Sequence, residues 1–507
     1  MPEFPRPAGY ARLAARFDLR VRPNWHTSAV ARGNSRRRDR DGDRVSEVYP
    51  ASHWPGDGDG DHLEFALKYD GTKLHVLSAL FAVIPPADMV RFIESAPLGK
   101  YVRRAWYLYE WCTGRQLPIG PLARVAYIPL IDPSEQYTAV GRRVSRQRIN
   151  DNLLGTRDFC PTVRRTDLLE AAEATRLDEQ GRRIVAACPP EVLRRAMHYL
   201  YTKETRSSFE IEREEPTADR VERFVSLLHS AERDDFVDKA RLVELQNQIV
   251  DPRFREPDYR SSQNYVGQTV RPGYEKVHFI PPRPADVGSL MDGWVACHRR
   301  MEAAVHPVVH AAVTAFGFVF IHPFEDGNGR AHRFLIHNVL ARRSFTPPGV
   351  VFPVSAVMLK DGAAYDRSLE AFSGPLRPMV DYVLDDRGRM TVRNETAPLY
   401  RFMDLTAQAE ALFDFVGRTI DHELVDEIRF IQMYDQAKRS IQAIVDAPDR
   451  MIDLFIRLCA QNHGKLAKGK RKAHFAQLTA AEVAAMEAAI EGAKVPAADP
   501  EEPPSRG

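Results

Sequence analysis

The chain has 507 residues, 44% hydrophobic and 28% charged, with a formal net charge of +2. That length and composition allow a sizeable core and two to four domains, on a prior of about 100–200 residues each. The near-balance of charge excludes bulk attraction to polyanions and leaves any nucleic-acid contact to a local patch. Cys112, Cys160, Cys188, Cys297 and Cys459 are widely spaced, without CxxC or Cys/His ligand spacing. They read as reduced, buried thiols of a cytoplasmic protein.

In chain order, residues 1–61 are expected to be disordered. RGNSRRRDRDGDR at 32–44 and GDGDGD at 56–61 are dominated by charge and glycine, which bury too little to offset ordering entropy. GDGDGD lacks the closing glutamate of a calcium loop and reads as a linker. The opening MPEFPRPAGY lacks the apolar run of a secretory signal. Residues 62–185 are expected to form a helical domain. Apolar residues recur at three-to-four spacing in Ala87–Glu94 and Val102–Trp111, and Arg124–Asp132 reads as extended.

Pro189-Pro190 opens a helix from Glu191 to about Glu212, with Leu193, Met197, Leu200 and Tyr201 on one stripe. Further helices are expected near Ala218–Glu232 and Asp235–Ile249. Residues 252–275 read as loop, and KVHFIPPRP at 276–284 as a strand or hairpin ended by a proline turn. A helix begins at Asp286. The apolar run Ala303–Phe320 contains His306, Pro307 and His310 and reads as a buried helix, with no membrane span. Another helix runs from Asn328 to about Arg343. Amphipathic helices are expected at Leu399–Ile420, Val425–Asp446 and Met451–Asn462, and a last one opens at Thr479. Residues 391–493 thus form a C-terminal helical domain, followed by a disordered tail at 494–507. The basic cluster Lys465–Lys472 is either a solvated loop or a contact for nucleic-acid phosphates.

The chemistry concentrates in HPFEDGNGRAHR at 322–333. Glycines around Asn328 let backbone N–H groups turn inward as an anion nest, and a helix N-terminus adds its positive dipole end. Arg330 and Arg333, three apart, share one sector of that helix and suit phosphate oxygens. Asp326 is a hard oxygen ligand suited to Mg²⁺. His322 can take a proton from an attacking hydroxyl. The residues alone describe a site for several phosphates and a metal beside a base.

The stretch resembles the Fic-domain signature: His-Pro-Phe, one variable residue, an acid, Gly-Asn-Gly-Arg, two variable residues, Arg. That resemblance implies a mainly α fold over about residues 186–390, a helical core with a small β-hairpin flap, flanked by N- and C-terminal helical regions. It implies ATP as substrate with Mg²⁺, and AMP transfer to a Ser, Thr or Tyr hydroxyl of a target protein. His322 then resembles the general base, Asp326 the metal ligand and Phe324 the loop's core anchor. Gly327, Asn328 and Gly329 resemble the phosphate-cradling turn, and Arg330 and Arg333 the phosphate-holding arginines. Gly329 stands where a kinase-like relative has Lys, which favours nucleotidyl transfer. Lys276, Val277, His278 and Phe279 resemble the flap that aligns a target by strand addition. Tyr365 matches one member of a tyrosine pair near the adenine. Ser208-Phe209-Glu210-Ile211-Glu212 resembles the family's inhibitory motif, with Glu212 pairing with Arg333, except that Arg213 follows where Gly or Asn is usual. UMP or phosphocholine transfer, AMP removal assisted by Glu212, and a DNA-binding regulator using the basic cluster are the alternatives.

Overall fold

The computed structural model describes residues 5–42, 44–271 and 274–493. The tail expected at 494–507 lies outside the described residues. The N-terminal stretch, expected to be disordered, forms a four-stranded sheet. It comprises β1 (Arg6–Ala8), α1 (Gly9–Arg16), β2 (His26–Ala31), β3 (Arg37–Asp41) and β4 (Arg44–Pro50), in the strand order β1-β2-β4-β3. β2 and β4 run parallel and the other pairs antiparallel. Ordering rests on paired charge as much as on apolar area. His26 lies 3.1 Å from both Glu47 and Asp70. Glu47 also accepts from Tyr49 Oη at 2.8 Å and Arg36 Nε at 2.6 Å. The arginine-rich β3 is the exposed edge, where charge discourages pairing with other chains. GDGDGD is no linker: it opens α2 (Asp59–Phe65), and Asp59 pairs with Arg16 at 2.6 Å.

Helices α3 (Leu74–Val83), α4 (Pro86–Ser95) and α5 (Lys100–Thr113) follow, and enclose a core that includes Leu77, Ile93 and Trp106. Residues 114–166 depart from the expected helical domain. They are largely irregular around the small sheet β5 (Ile128–Pro129), β6 (Arg142–Val144) and β7 (Ile149–Asp151). Buried arginines on α5 supply donors to this stretch: Arg103 Nε to the Gln147 carbonyl and Arg104 Nε to Pro129, both at 3.0 Å. A helical reading of 62–185 therefore holds for its two ends only.

The largest core runs from Tyr137 to Ile431. It is built from α6 (Asp167–Ala174), α7 (Leu177–Ala187), α8 (Pro190–Ile211), α9 (Ala218–Ser230) and α10 (Lys239–Ile249). Next come the antiparallel hairpin β8 (Val266–Arg271) and β9 (Tyr274–Phe279), then α11 (Pro284–Met301), α12 (Pro307–Ile321) and α13 (Asn328–Arg342). β8 lies within 252–275, which composition alone assigned to loop. Prolines at the first position of α8, α11 and α12 start those helices where a missing N–H costs little. α12 is buried all round and is the hub against which α11 and α13 pack. No single helix among the described residues is long and apolar enough to cross a membrane.

α14 (Val354–Lys360), α15 (Gly362–Leu376), the ribbon β10 (Tyr382–Leu384) and β11 (Met390–Val392), α16 (Ala397–Arg401) and α17 (Thr406–Arg418) complete this core. α17 packs on α12, so the division expected at 390/391 falls inside one core. α18 (Val425–Gln442) leads from it to α19 (Asp449–Ala460), α20 (Lys468–His474) and α21 (Ala480–Gly492), which enclose a separate cluster around Ile441, Phe455, Phe475 and Met486. Thr479 and Glu482 form the capping box that starts α21. The basic cluster lies on α20 and the turn before it, and Lys465 pairs with Glu487 at 3.3 Å.

Candidate active site

α12 ends at His322, which takes a left-handed conformation (φ 54°). The chain then turns through 323–327 and re-enters helix at Asn328. Gly327 is also left-handed (φ 88°), and a side chain there would press on Val250 at 2.9 Å, so glycine is required on both counts. Asn328 closes the loop on itself. Its side chain accepts from the Phe324 N–H at 3.0 Å and donates to the Phe324 carbonyl at 2.7 Å. Phe324 is fully buried against Tyr259 and Phe318.

The loop carbonyls are tied down from one side. Arg260 donates from Nε to His322 and from its backbone N–H to Pro323, both at 2.8 Å. Asn264 Nδ2 donates to Phe324 at 3.1 Å and Gln246 Nε2 to Asp326 at 3.3 Å. The N–H groups of Asn328, Gly329 and Arg330 find no acceptor among the described residues. Fixed carbonyls and free first-turn amides are what an anion nest requires.

His322 Nδ1 lies 3.2 Å from the Val319 carbonyl, which assigns the proton to Nδ1 and leaves Nε2 as an acceptor. Burial, reinforced by the charge of Arg260, lowers its pKa to about 4, so the ring is neutral at pH 7. Asp326 Oδ1 accepts from the Gly327 N–H at 2.5 Å and from Arg330 Nη2 at 2.8 Å. Its Oδ2 has no partner among the described residues, and the side chain is half-exposed. No cluster of three or more His, Cys, Asp or Glu suited to a metal occurs among the described residues. A cation at Asp326 would therefore draw its other ligands from phosphate and water.

Arg330 and Arg333 are almost fully buried, and both face carboxylates from the end of α8. Arg333 Nη2 lies 2.8 Å from Glu212 Oε1. Arg333 also donates to Ser208, from Nε to Oγ at 2.9 Å and from Nη2 to the carbonyl at 2.6 Å. Ser208 and Glu212, one turn apart, thus grip one guanidinium. Arg330 Nη1 and Arg220 Nη2 each lie 2.9 Å from Glu214 Oε2, and both guanidinium groups lie near the Phe209 ring. A Cβ built on Gly329 would collide with the Glu212 carboxylate. α8 terminates through Arg213, left-handed at φ 58°, with the Glu214 N–H returning to the Phe209 carbonyl at 3.1 Å. That conformation suits the Gly or Asn usual at this position.

Residues 236–340, which hold the loop and α13, match the description Fic/DOC family. The chain carries a Fic/DOC family domain. The protein adenylyltransferase Fic of Culex quinquefasciatus is 32% identical over 159 residues, 30% of this chain and 28% of that relative. The protein of the same name from Aedes aegypti is 31% identical over 157 residues, with coverage of 30% and 28%. The chain therefore spans under a third of the length of these relatives. A Fic family protein from Desulfovibrio desulfuricans G20 aligns over 59% of this chain and 88% of its own, at 20% identity and a TM-score of 0.39.

Around the Fic/DOC domain, the expected site residues fall in three groups. Residues 322–333 and Ser208 with Glu212 come together directly. Tyr365 is buried near Arg333 and faces His332 with ring centroids 6.2 Å apart. On the hairpin, Val277 and Phe279 point into the core and Lys276 and His278 do not. The Phe279 ring lies 6.4 Å from that of His322. Sequence reading missed Arg260 and Glu214. Arg260 lies in a segment that reads as polar loop. The acid run at 212–215 was the available signal for Glu214.

Proposed function

We propose that this protein transfers AMP from ATP to a hydroxyl of another protein, and that Glu212 holds the resting form inactive. The observation that carries the reading is the convergence of a neutral His322, with Nε2 free, on the open amides that begin α13 and on two buried arginines. In the proposed step a target hydroxyl attacks the α-phosphorus of ATP. The bond to the β-phosphate oxygen breaks, pyrophosphate leaves, and the hydroxyl proton passes to His322 Nε2. The amides at 328–330 and Arg330 would stabilise charge developing on the transferring phosphates, and Arg333 would hold the terminal phosphate. Asp326 would hold Mg²⁺, whose role is to neutralise phosphate charge.

β8 is exposed along its whole length, which suits a target segment added as a further strand. Lys276 and His278 would meet that segment or the nucleotide, while Val277 and Phe279 fix the hairpin to the core. Glu212 occupies the guanidinium face that a terminal phosphate needs. Glu214 pairs with both Arg330 and Arg220.

The test is incubation of the full chain and a cell lysate with ATP labelled at either the α- or the γ-phosphate, with UTP and CDP-choline in parallel. Label from α-labelled ATP alone, abolished by His322→Ala, is expected. Label from the γ position, from UTP or from CDP-choline would reassign the transferred group. Absence of any His322-dependent label would remove the transferase reading.

A further inference from the structure

A second site lies away from the 322–333 loop and shares no residue with it. A cavity of about 460 Å³ opens between α3, the end of α5 and the segment leading into α16. That volume falls within the usual range of small-molecule sites. Arg20, Arg22, Arg115 and Arg401 line it, with Glu395 as its one acid. Among the described residues no carboxylate comes within ion-pair distance of any of the four arginines. Arg20 donates to the Pro378 carbonyl at 3.4 Å and Arg22 to the Phe402 carbonyl at 2.6 Å. Those bonds satisfy single N–H groups, and Arg22 also feels the charge of Asp404 and lies over the Phe372 ring. Arg401 Nε is buried without an acceptor. Val21, Phe81 and Leu399 contribute apolar surface to the lining.

Guanidinium groups without carboxylate partners around one cavity present a positive field that a multiply charged anion would complement. Guanidinium forks match phosphate oxygens bidentately. We propose that this cavity binds a phosphorylated small molecule of nucleotide size, with its phosphates on the arginines and its apolar part on Val21, Phe81 and Leu399. The proposal is independent of the AMP-transfer reading.

Its test is calorimetric titration of pyrophosphate and of ADP into four forms of the full chain: wild type, Arg330→Ala, and, each in the Arg330→Ala background, the pair Arg20→Gln with Arg115→Gln and a control pair, Arg37→Gln with Arg44→Gln. Arg20 and Arg115 are exposed, so the first pair removes charge without opening the core, and the control removes equal charge from the edge of the N-terminal sheet. The expected result is binding that survives Arg330→Ala, weakens at least tenfold in the Arg20/Arg115 variant and is unchanged in the control. No binding, binding lost with Arg330→Ala, binding retained in the Arg20/Arg115 variant, or equal weakening in the control would each overturn the proposal.

Discussion

As the proposed base, His322 is unusual in that its surroundings hold it neutral over a wide range. Its pKa is lowered to about 4 by burial and then by Arg260. Label transfer should therefore keep its rate down to about pH 5, where an unperturbed histidine, titrating near 6.5, would already have lost it. A pH profile of single-turnover transfer checks this, and an acid limb near 6.5 would contradict it. Arg213 makes a second residue-scale prediction. A non-glycine residue in the left-handed region costs roughly 1–2 kcal/mol, partly offset by the entropy glycine loses on folding. Arg213→Gly should stabilise the chain by about 1 kcal/mol, read as a raised urea midpoint with unchanged slope. The motif itself was legible because its residues are consecutive. Arg260 and Glu214 were not, because their roles exist only once the loop 256–264 and the end of α8 are folded against 322–333.

At the scale of elements, α8 is no detachable lid. Buried Glu204 accepts from His337 Nε2 on α13 and from the Ser355 N–H on α14, both at 2.8 Å, and also from the Ser355 hydroxyl. Removing that carboxylate strands three buried donors at about 1–3 kcal/mol each. Glu204→Ala should destabilise the chain by about 3 kcal/mol, seen in chemical unfolding, whereas exposed Glu191→Ala should be near neutral. If Glu212 inhibits as proposed, relief of that inhibition would be a change in the last turn, 212–214, with the body of α8 staying docked. Hydrogen exchange under saturating ATP should show loss of protection at 210–215 and none across 196–208. Helix positions were well legible from spacing and prolines, as α8, α9 and α13 illustrate. The hairpin was half-legible: β9 carries alternating Val277 and Phe279, but β8 is exposed throughout and has no apolar period to read.

For the whole molecule, the N-terminal sheet shows where reading from composition fails. Charge-rich strands looked incapable of burial, yet His26 lies against Glu47 and Asp70, and Arg36 and Tyr49 donate to Glu47, which lets the face close. Such pairing depends on residues up to 44 positions apart in sequence and leaves no local pattern. The distribution of histidines has a global consequence. Burial lowers His75 and His332 to about 3, and His298 and His322 to about 4. Between pH 6.5 and 4 the unfolded chain binds protons that the native chain refuses, so stability rises with pH there and is lost as pH falls. Thermal midpoints should drop steadily from pH 7 to pH 5, and a flat profile would contradict burial of these rings.

The most direct measurement of the central claim is the intact mass of purified Glu212→Gly after incubation with ATP and Mg²⁺, beside wild type and the double variant with His322→Ala. Freeing Arg333 should produce a mass gain of one AMP per modified hydroxyl, little in wild type and none without His322. An unmodified Glu212→Gly would contradict the inhibitory contact, and a gain of phosphate, or any gain that persists in the His322→Ala variant, would contradict nucleotidyl transfer at this loop.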